Sequence, residues 1–463
     1  MIANFPLKRE LGRTVFSIFM LYAGKTSGIV VNLVFLPIYS FALGPDGFGF
    51  VAVILSLQAL LLMMDLGMST IVGRDISANE YPPIELVRQL FSAELGLVLL
   101  YGALFLVVGT LVLANIRFGM GPFIPLALVV LFALLVLQNL HYSAIVARRA
   151  YIASSTLQFV GNLARAGGTA VVLTYISPTL VAFVASQLLG ALLQFVAARN
   201  LCIREFKIDV YDQRLVTLQS LWHSAFALMR RARPVALLSV AGAAVTQLDK
   251  PIISIFLGPS SVAPYFLAMT YCMVPVAVLA GPVAQFFQPL VINAVSTGDD
   301  KRALHVMRIY TLALLTITLL PSAVMYVFSD LFVGLWLKHG PLVESTQVYI
   351  KILMPGLAIG ALGYLPYSLL LVAKDYKFMA ILSTIMTAVT LLATTVAAAN
   401  GSVWLVCAVY VTYHVGSTVL QWVRTLSDKQ QIKKLARYSV KLSLYILLII
   451  CTLLIIIKSQ KIF

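Results

Sequence analysis

Residues 37–45 read PIYSFALGP and residues 251–259 read PIISIFLGP, two copies of one pattern in the two halves of the chain. In each copy a proline lies near the end of an apolar stretch, and a glycine and a second proline follow it. Proline and glycine at matched places predict matched helix ends and matched turns. The repeat therefore predicts two parallel halves, which in a membrane protein are related by an axis along the membrane normal.

The composition of the 463-residue chain is typical of a membrane protein, since 61% of the residues are apolar and 11% are charged. A soluble domain is about 45–50% apolar and about 25% charged. These values exclude an ordinary soluble protein, a disordered chain and a disulfide scaffold. Hydropathy predicts thirteen membrane spans. They are residues 14–43, 47–73, 87–114, 122–146, 154–176, 179–200, 232–257, 263–294, 304–328, 345–373, 376–399, 401–425 and 437–457.

The net charge of +16 comes from 33 Lys and Arg residues against 17 Asp and Glu residues. In a soluble protein this balance would indicate nucleic-acid binding. Here most basic residues fall in alternate loops between apolar runs, so topology is the simpler explanation and the N-terminus is expected in the cytoplasm. We therefore expect no nucleic-acid partner. The four cysteines are scattered and predict packing residues, with neither a metal site nor disulfides.

The chain is expected to fold as an all-α polytopic membrane protein with two six-helix bundles. The predicted domains are an N-terminal bundle (1–200), a cytoplasmic amphipathic linker (201–231), a C-terminal bundle (232–426) and a basic segment with an extra hydrophobic helix (427–463). The linker is basic, and apolar residues recur in it at roughly helical spacing, which predicts a surface helix. Whether the last hydrophobic segment crosses the membrane stays open.

Charged residues inside predicted spans are candidates for function, because an intramembrane charge is costly and usually faces a cavity or a partner. The cations are Lys25, Arg165 and Lys250, and the acids are Asp65, Glu94 and Asp249. Pairing of Lys25 or Arg165 with Asp65 or Glu94 is the rival, structural interpretation. Adjacent helical residues point about 100° apart, so Asp249 and Lys250 need not pair with each other.

Uncharged polar residues also lie on helix faces within the spans. The candidates for the lining of a cavity are Asn32, Gln58, Asn162 and His414. Packing or hydrogen bonding between helices is the competing interpretation for such residues, and for His414 it is favoured. A glycine run in the tenth span, at positions 356, 360 and 363, is typical of bending or of close helix approach.

Motifs for nucleotide or metal chemistry are missing from the sequence. Gly24-Lys25-Thr26 ends like a P-loop, but position 19 is Phe19 where that motif requires glycine. Neither HExxH nor GxSxG occurs. We therefore expect no cofactor, no metal and no enzymatic activity.

Several segments, in their order and topology, resemble the polysaccharide branch of the multidrug/oligosaccharidyl-lipid/polysaccharide exporter superfamily, which includes O-antigen and other lipid-linked oligosaccharide flippases. Residues 36–77 combine a span exit, an LGP turn, and D-x-G before R-D-I. The other segments are ARRAYIASS (147–155), QLDKPIISIFLGPSSVAPYFLA (247–268), QPLVINAVSTGDDKRAL (288–304) and LVAKDYKFMAI (371–381).

The resemblance implies two six-helix bundles, related by pseudo-two-fold symmetry, around a central cavity that opens alternately to either side of a bacterial inner membrane. It implies an undecaprenyl-diphosphate-linked oligosaccharide as substrate, moved from the cytoplasmic to the outer leaflet among membrane lipids. Other polysaccharide-assembly membrane proteins are candidate partners. The cations Lys25, Arg165 and Lys250 are then expected to meet the diphosphate, and Asp65, Glu94 or Asp249 to carry a coupling ion.

Two alternatives remain. A drug/cation antiporter of the same superfamily is expected to have an acidic cavity, against which Lys25 and Arg165 argue. A membrane-bound glycan polymerase or ligase is expected to carry catalytic residues on a large outer loop, whereas the largest predicted outer segment, 329–344, is short. A purely structural membrane protein is disfavoured by the interior charge.

Overall fold

A computed structural model describes residues 5–63, 65, 67–78, 83–114, 121–206, 218–338, 340–427 and 430–460. Within these helices, the side chains of residues 5–23, 25, 63, 78, 83–84, 218, 220, 231–242, 430–431, 450–451 and 453–460 lie outside the description. All regular elements in the described ranges are helical, so the prediction of an all-α chain is confirmed. The helices form two compact units, Met1–Gln247 and Leu248–Phe463.

Unit 1 contains seven helices among its described residues. They are α1 (Phe5–Met63), α2 (Met68–Ala78), α3 (Pro83–Leu113), α4 (Phe123–Ala147), α5 (Tyr151–Val171), α6 (Leu180–Phe206) and α7 (Leu218–Gln247). Helix α5 continues into a π-helical turn, Val172–Ile176. Helix α5 packs on α1 and α6, α4 packs on α6, and α7 packs on α3.

Unit 2 begins with α8 (Asp249–Leu257) and α9 (Pro259–Met273), followed by a π-helical stretch, Val274–Ala280. Its other helices are α10 (Gly281–Ser296), α11 (Asp300–Val327), α12 (Ser329–Trp336), α13 (Val343–Ala361), α14 (Tyr364–Ala373), α15 (Tyr376–Ala399), α16 (Val403–Leu426) and α17 (Gln430–Gln460). The π-helical stretch contains Pro275, which has no backbone N–H to donate and so interrupts the regular α-helical ladder.

The two copies of the repeated pattern adopt the same local structure. Gly44 has φ 68° and ψ 178°, and Gly258 has φ 83° and ψ 161°. Only glycine adopts these angles readily, and the proline that follows each glycine starts the next helical stretch. The repeat is therefore confirmed as a pair of matched helix breaks, one in each unit.

Nine helical segments of the described residues are long and apolar enough to cross a membrane, compared with the thirteen predicted spans. One of the nine, Thr26–Leu62, contains parts of the first two predicted spans, which meet at the break at Gly44. Helix α5, predicted as the fifth span, is absent from the nine, and it carries the polar residues Gln158, Asn162 and Arg165. The thirteen-span topology stays a prediction.

The boundary between the units lies at Gln247, whereas the sequence placed the end of the linker at residue 231. Helix α7 runs without interruption from the second part of the predicted linker into the predicted seventh span. Residues 207–217 of that linker lie outside the described residues. Ala225 and Leu228 of α7 are buried, while Trp222 and Phe226 of the predicted apolar face are exposed.

The C-terminal helix α17 is part of unit 2. Ile432, Leu435 and Ala436 are buried in a core cluster with residues of α10, α11 and α14. The hydroxyl groups of Ser439 and Thr311 lie 3.0 Å apart. The side chains of the last residues of this helix lie outside the description, and its membrane crossing stays a prediction.

Helices α13 and α16 approach each other closely along the predicted glycine run. A Cβ atom at Gly356 would lie 2.6 Å from Val411 Cγ1, and one at Gly360 would lie 2.6 Å from His414 Nδ1. At Gly363 the nearest side-chain atom would be Thr418 Oγ1, at 2.9 Å. The prediction of close approach is confirmed, and the break between α13 and α14 falls at Leu362 and Gly363.

We expect Gly360→Ala to destabilise the protein by about 1–3 kcal/mol. Overpacking of the α13–α16 contact outweighs the gain in helix propensity, which is about 1 kcal/mol. Thermal unfolding of the purified protein in detergent measures the change. The matched control is Gly416→Ala on α16, where the new Cβ would meet only Met386 Cε at 3.5 Å. Equal melting temperatures for the two variants would contradict the close contact.

Candidate functional site

Arg165 lies on α5, where the α6 backbone comes close to its side chain. A Cβ atom at Gly190 of α6 would lie 2.7 Å from Arg165 Cγ, so only glycine leaves room for the arginine stem. Arg165 Nη1 is buried and has no hydrogen-bond partner among the described residues. A buried guanidinium N–H without an acceptor is costly unless water or a ligand supplies one.

Polar groups surround Arg165 on both sides of the α5–α6 contact. Thr169 Oγ1 donates to the Arg165 carbonyl oxygen over 2.9 Å and accepts from Gln187 Nε2 over 3.1 Å. The hydroxyl group of Tyr39 on α1 donates to the carbonyl oxygen of Ala166 over 2.8 Å. These bonds fix the backbone around Arg165 and leave its Nη1 free for another acceptor.

Gln194 of α6 makes the converse contact, in which a side chain of α6 lies against a glycine of α5. It lies against Gly161 of α5, it is 4% exposed, and both its amide oxygen and its amide nitrogen lack partners in the described part of the chain. Sequence reasoning missed this residue and Gln187. The seven-residue spacing of the two glutamines in an apolar helix could have identified them, since it places both on one helix face.

The four uncharged candidates lie in different environments. Asn162 is buried, and its Nδ2 donates to Ser27 Oγ over 3.1 Å, so it joins α5 to α1. Asn32 is exposed, and Gln58 is half-buried. His414 is half-buried between Tyr410 and Tyr413, with ring centroids 4.7 Å and 5.1 Å away, and its Nε2 has no partner among the described residues.

Glu94 of α3 pairs with residues that the sequence had not connected with it. Its Oε1 lies 3.1 Å from Arg199 Nε of α6, and its Oε2 lies 3.7 Å from Nε2 of His141 on α4. His141 is 1% exposed, and both its ring nitrogens lack hydrogen bonds within the described structure. Neither Arg199 nor His141 was among the predicted site residues, although a single histidine in an apolar span is a signal.

Asp65 fixes the start of α2. Its Oδ1 accepts from the backbone N–H of Gly67 over 2.8 Å, and its Oδ2 accepts from that of Ser69 over 3.1 Å. An aspartate that precedes a helix and binds these donors is an N-terminal cap. Both carboxylate oxygens therefore have backbone partners.

Asp249 and Lys250 are paired, although regular helical spacing did not require these neighbours to pair. Lys250 Nζ lies 2.9 Å from Asp249 Oδ1, and the hydroxyl group of Tyr265 donates to Asp249 Oδ2 over 2.6 Å. Both charged residues are buried. They lie at the first residues of α8, where the side chain of Asp249 turns back to accept from the Lys250 N–H. The regular helical spacing therefore does not apply.

Two further sequence predictions concern Lys25 and the cysteines. The backbone of Lys25 lies in α1, but its side chain is outside the described residues. Cys202, Cys272 and Cys407 are buried and free, as expected of packing residues, and the side chain of Cys451 is not described. Among the described residues, no three His, Cys, Asp or Glu side chains are grouped so that they could hold a metal ion.

The helix contacts give the relative height of the two unit 1 cations. Gly24 packs beside Ser155 and Gly167 beside Phe35, so α1 and α5 run parallel. With a rise of 1.5 Å per residue, the backbones of Lys25 and Arg165 lie about 12–14 Å apart along the helices. The two backbone positions therefore lie at different heights along the α1–α5 pair.

Comparison with solved structures identifies the fold. The chain is similar to a lipid II flippase MurJ in an inward closed conformation, with a TM-score of 0.69 and 14% identity over 96% of this chain and 98% of that one. It is similar to an inward-facing multidrug resistance MATE family transporter, with a TM-score of 0.66 and 15% identity over 91% and 99%. These structures have the two-lobe helical fold of the MOP superfamily.

A third similar structure is a MOP superfamily transporter from Pyrococcus furiosus that has a binding pocket of reversed polarity. Its TM-score is 0.57, with 15% identity over 91% of this chain and 95% of that one. No curated protein sequence matches the chain. The family described as "Polysaccharide biosynthesis protein" matches residues 11–291, which is more than half of the sequence. The chain therefore belongs to the polysaccharide biosynthesis protein family.

Proposed function

We propose that this protein is a flippase that moves an undecaprenyl-diphosphate-linked oligosaccharide from the cytoplasmic to the outer leaflet of a bacterial inner membrane by alternating access. The observation that carries the proposal is the buried Nη1 of Arg165, for which the described residues supply no acceptor. A diphosphate supplies anionic oxygens, and guanidinium binds phosphate with short, charge-assisted hydrogen bonds. The family match supports the same class of cargo.

The separation of the two cations along α1 and α5 supports a path for the diphosphate. With the N-terminus in the cytoplasm, Lys25 lies nearer the cytoplasmic end of α1 and Arg165 lies on a more outward level of α5. A headgroup that moves outward meets Lys25 first and Arg165 second. The isoprenoid tail stays in the bilayer, because only the charged and hydroxylated head needs a polar route across hydrocarbon.

Among the acids, Glu94 is the one we assign to ion coupling. Asp65 and Asp249 have protein donors on both carboxylate oxygens, whereas Glu94 Oε2 is buried without a hydrogen-bond donor in the described structure. A proton on Glu94 would let that oxygen donate to the neighbouring His141 ring. The Glu94 carboxylate carries a single negative charge, which suits a monovalent ion. A proton is the simplest such ion, because it needs no further ligands.

A cationic cargo, as for a drug antiporter, is disfavoured by the same geometry. Arg165 brings positive charge to the α5–α6 contact, and no ion pair to it occurs among the described residues. A cationic drug would be repelled there. Resistance to cationic drugs on overexpression, without a defect in surface glycan on deletion, would favour the antiporter.

The first prediction concerns the guanidinium of Arg165. We expect Arg165→Met to reduce glycan export at least about tenfold, because one or two charge-assisted hydrogen bonds to the diphosphate are lost. Methionine keeps an unbranched stem beside Gly190, and Arg165→Lys keeps the charge and should retain part of the activity. Surface glycan and inner-leaflet lipid-linked glycan are measured at equal protein abundance. Wild-type export by Arg165→Met would exclude the assigned role.

The second prediction concerns Glu94. We expect Glu94→Gln to slow export severalfold while the affinity of the purified protein for undecaprenyl diphosphate stays unchanged, because coupling and cargo binding use different groups. Arg199 is 37% exposed, so solvent can stabilise its charge when the partner is neutralised. Export at the wild-type rate would remove Glu94 from the coupling mechanism.

The third prediction concerns the Asp249–Lys250 pair, where the contacts favour a structural role for Lys250 over binding of the diphosphate. We expect Lys250→Met to cost about 3–5 kcal/mol of stability, because it leaves a buried carboxylate unpaired. The double variant Asp249→Asn/Lys250→Met should recover most of that loss. Thermal unfolding of both variants gives the comparison, and equal destabilisation would show that the two charges are not coupled.

A further inference from the structure

Unit 2 contains a cavity that the diphosphate proposal does not use. It has a volume of about 160 Å³ and lies between α14, α15 and α16. Its lining includes Tyr367 of α14, Ser383 and Met386 of α15, and Tyr413, Ser417 and Gln421 of α16. The cavity lies entirely within this unit, near the ends of α15 and α16 that carry Asp375 and Arg424.

The lining combines aromatic, hydroxyl and amide groups with the apolar side chains of Met379, Leu382 and Met386, and it includes no charged side chain. Gln421 Oε1 is buried and has no hydrogen-bond partner among the described residues. On the opposite face of α15, Ile381, Ile385 and Val389 are exposed, which is typical of a lipid-facing stripe. Polar groups on membrane helices avoid lipid, so the buried Gln421 Oε1 requires water or a polar ligand.

Two charged residues close to the cavity in sequence, Asp375 and Arg424, are paired with each other, and a third, Lys377, is exposed. Arg424 Nε donates to Asp375 Oδ2 over 2.7 Å. A phosphate group would therefore find no unpaired cation in the lining, and a cationic drug would find no acid. An isoprenoid tail would leave Gln421 Oε1 without a donor. A neutral molecule rich in hydroxyl groups satisfies the lining, since hydroxyls donate to the amide and ring faces contact tyrosine.

We propose that this cavity binds one neutral sugar ring of the lipid-linked glycan, an inference that rests on the proposed function. The volume equals that of about five water molecules at 30 Å³ each, which suits a single ring. Tyr367 and Tyr413 supply aromatic surface, and Ser383, Ser417 and Gln421 supply hydrogen bonds. Unit 2 thereby selects the sugar, while Arg165 of unit 1 binds the diphosphate.

The test separates binding of the sugar from binding of the lipid diphosphate. Purified protein in nanodiscs is titrated with undecaprenyl diphosphate and with undecaprenyl diphosphate carrying one glucose, galactose or N-acetylglucosamine. We expect at least one sugar-bearing lipid to bind about tenfold more tightly than undecaprenyl diphosphate, equivalent to one or two hydrogen bonds and ring contact.

Two cavity variants are compared with a matched control. Ser417→Leu fills the cavity, and Gln421→Leu removes the unpartnered amide. We expect each to reduce the sugar-dependent gain to less than about twofold, while affinity for undecaprenyl diphosphate stays at the wild-type value. The control is Thr412→Leu on the exposed side of α16, where the hydroxyl group bonds only to the Ala408 carbonyl oxygen of its own helix. It should keep the full gain.

The outcomes distinguish the two proposals. If undecaprenyl diphosphate binds but none of the three sugars adds affinity, or if both cavity variants keep the gain, the sugar site is overturned and the flippase proposal stands. If the wild-type protein binds none of the four lipids, the proposed function fails, and the sugar site fails with it. Thermal unfolding of both cavity variants verifies that they are folded.

Discussion

The constraint on which this structure depends is the cost of a charged or polar group in hydrocarbon without a partner. Among the described interior acids, Asp65 and Asp249 meet this requirement on both carboxylate oxygens, and Glu94 meets it on one. Asp65 takes backbone donors, Glu94 takes Arg199, and Asp249 takes Lys250 and Tyr265. Arg165 Nη1 does not meet it. Stability alone would favour an apolar residue of the same length at that position, so the guanidinium is best explained by an acceptor that arrives with the cargo.

Small residues make these polar contacts possible in both units. Gly190 leaves room for the stem of Arg165, and Gly161 leaves room for Gln194. In unit 2, Gly360 brings α13 against His414 on the helix that also lines the cavity. Without a hydrophobic driving force between helices in lipid, close backbone approach and van der Waals contact hold them together. The same glycines therefore determine both how the helices pack and where polar side chains are held.

Features that depend on local sequence could be predicted. The helical character follows from composition, and the matched prolines and glycines predicted the breaks at Gly44 and Gly258, which share one backbone conformation. The glycine run predicted the close contact of α13 with α16. In each case the physical cause lies within a few neighbouring residues, so periodicity and backbone preferences are sufficient.

Features that depend on partners from distant helices could not be predicted. The partner of Glu94 is Arg199, which lies three predicted spans further along the chain, and no periodicity within one helix reveals such a pair. The partners of Asp65 and Asp249 were missed for a related reason. Both aspartates lie at the start of a helix, where carboxylates turn back onto backbone N–H groups and the 100° rule for helix faces does not apply.

The proposed phosphate site in unit 1 and the proposed sugar site in unit 2 suggest how a flippase could avoid moving the wrong lipid. Arg165 alone would accept any phosphorylated lipid headgroup, because a guanidinium group contacts the phosphate and not the groups attached to it. A neutral cavity alone would accept many sugars with millimolar affinity, since one ring offers few hydrogen bonds. In the proposed function, a cargo that carries both groups would use both sites, and the second contact would be strengthened by effective concentration. Selectivity for a lipid-linked glycan would then depend on two weak, dissimilar sites, because neither site alone distinguishes that cargo.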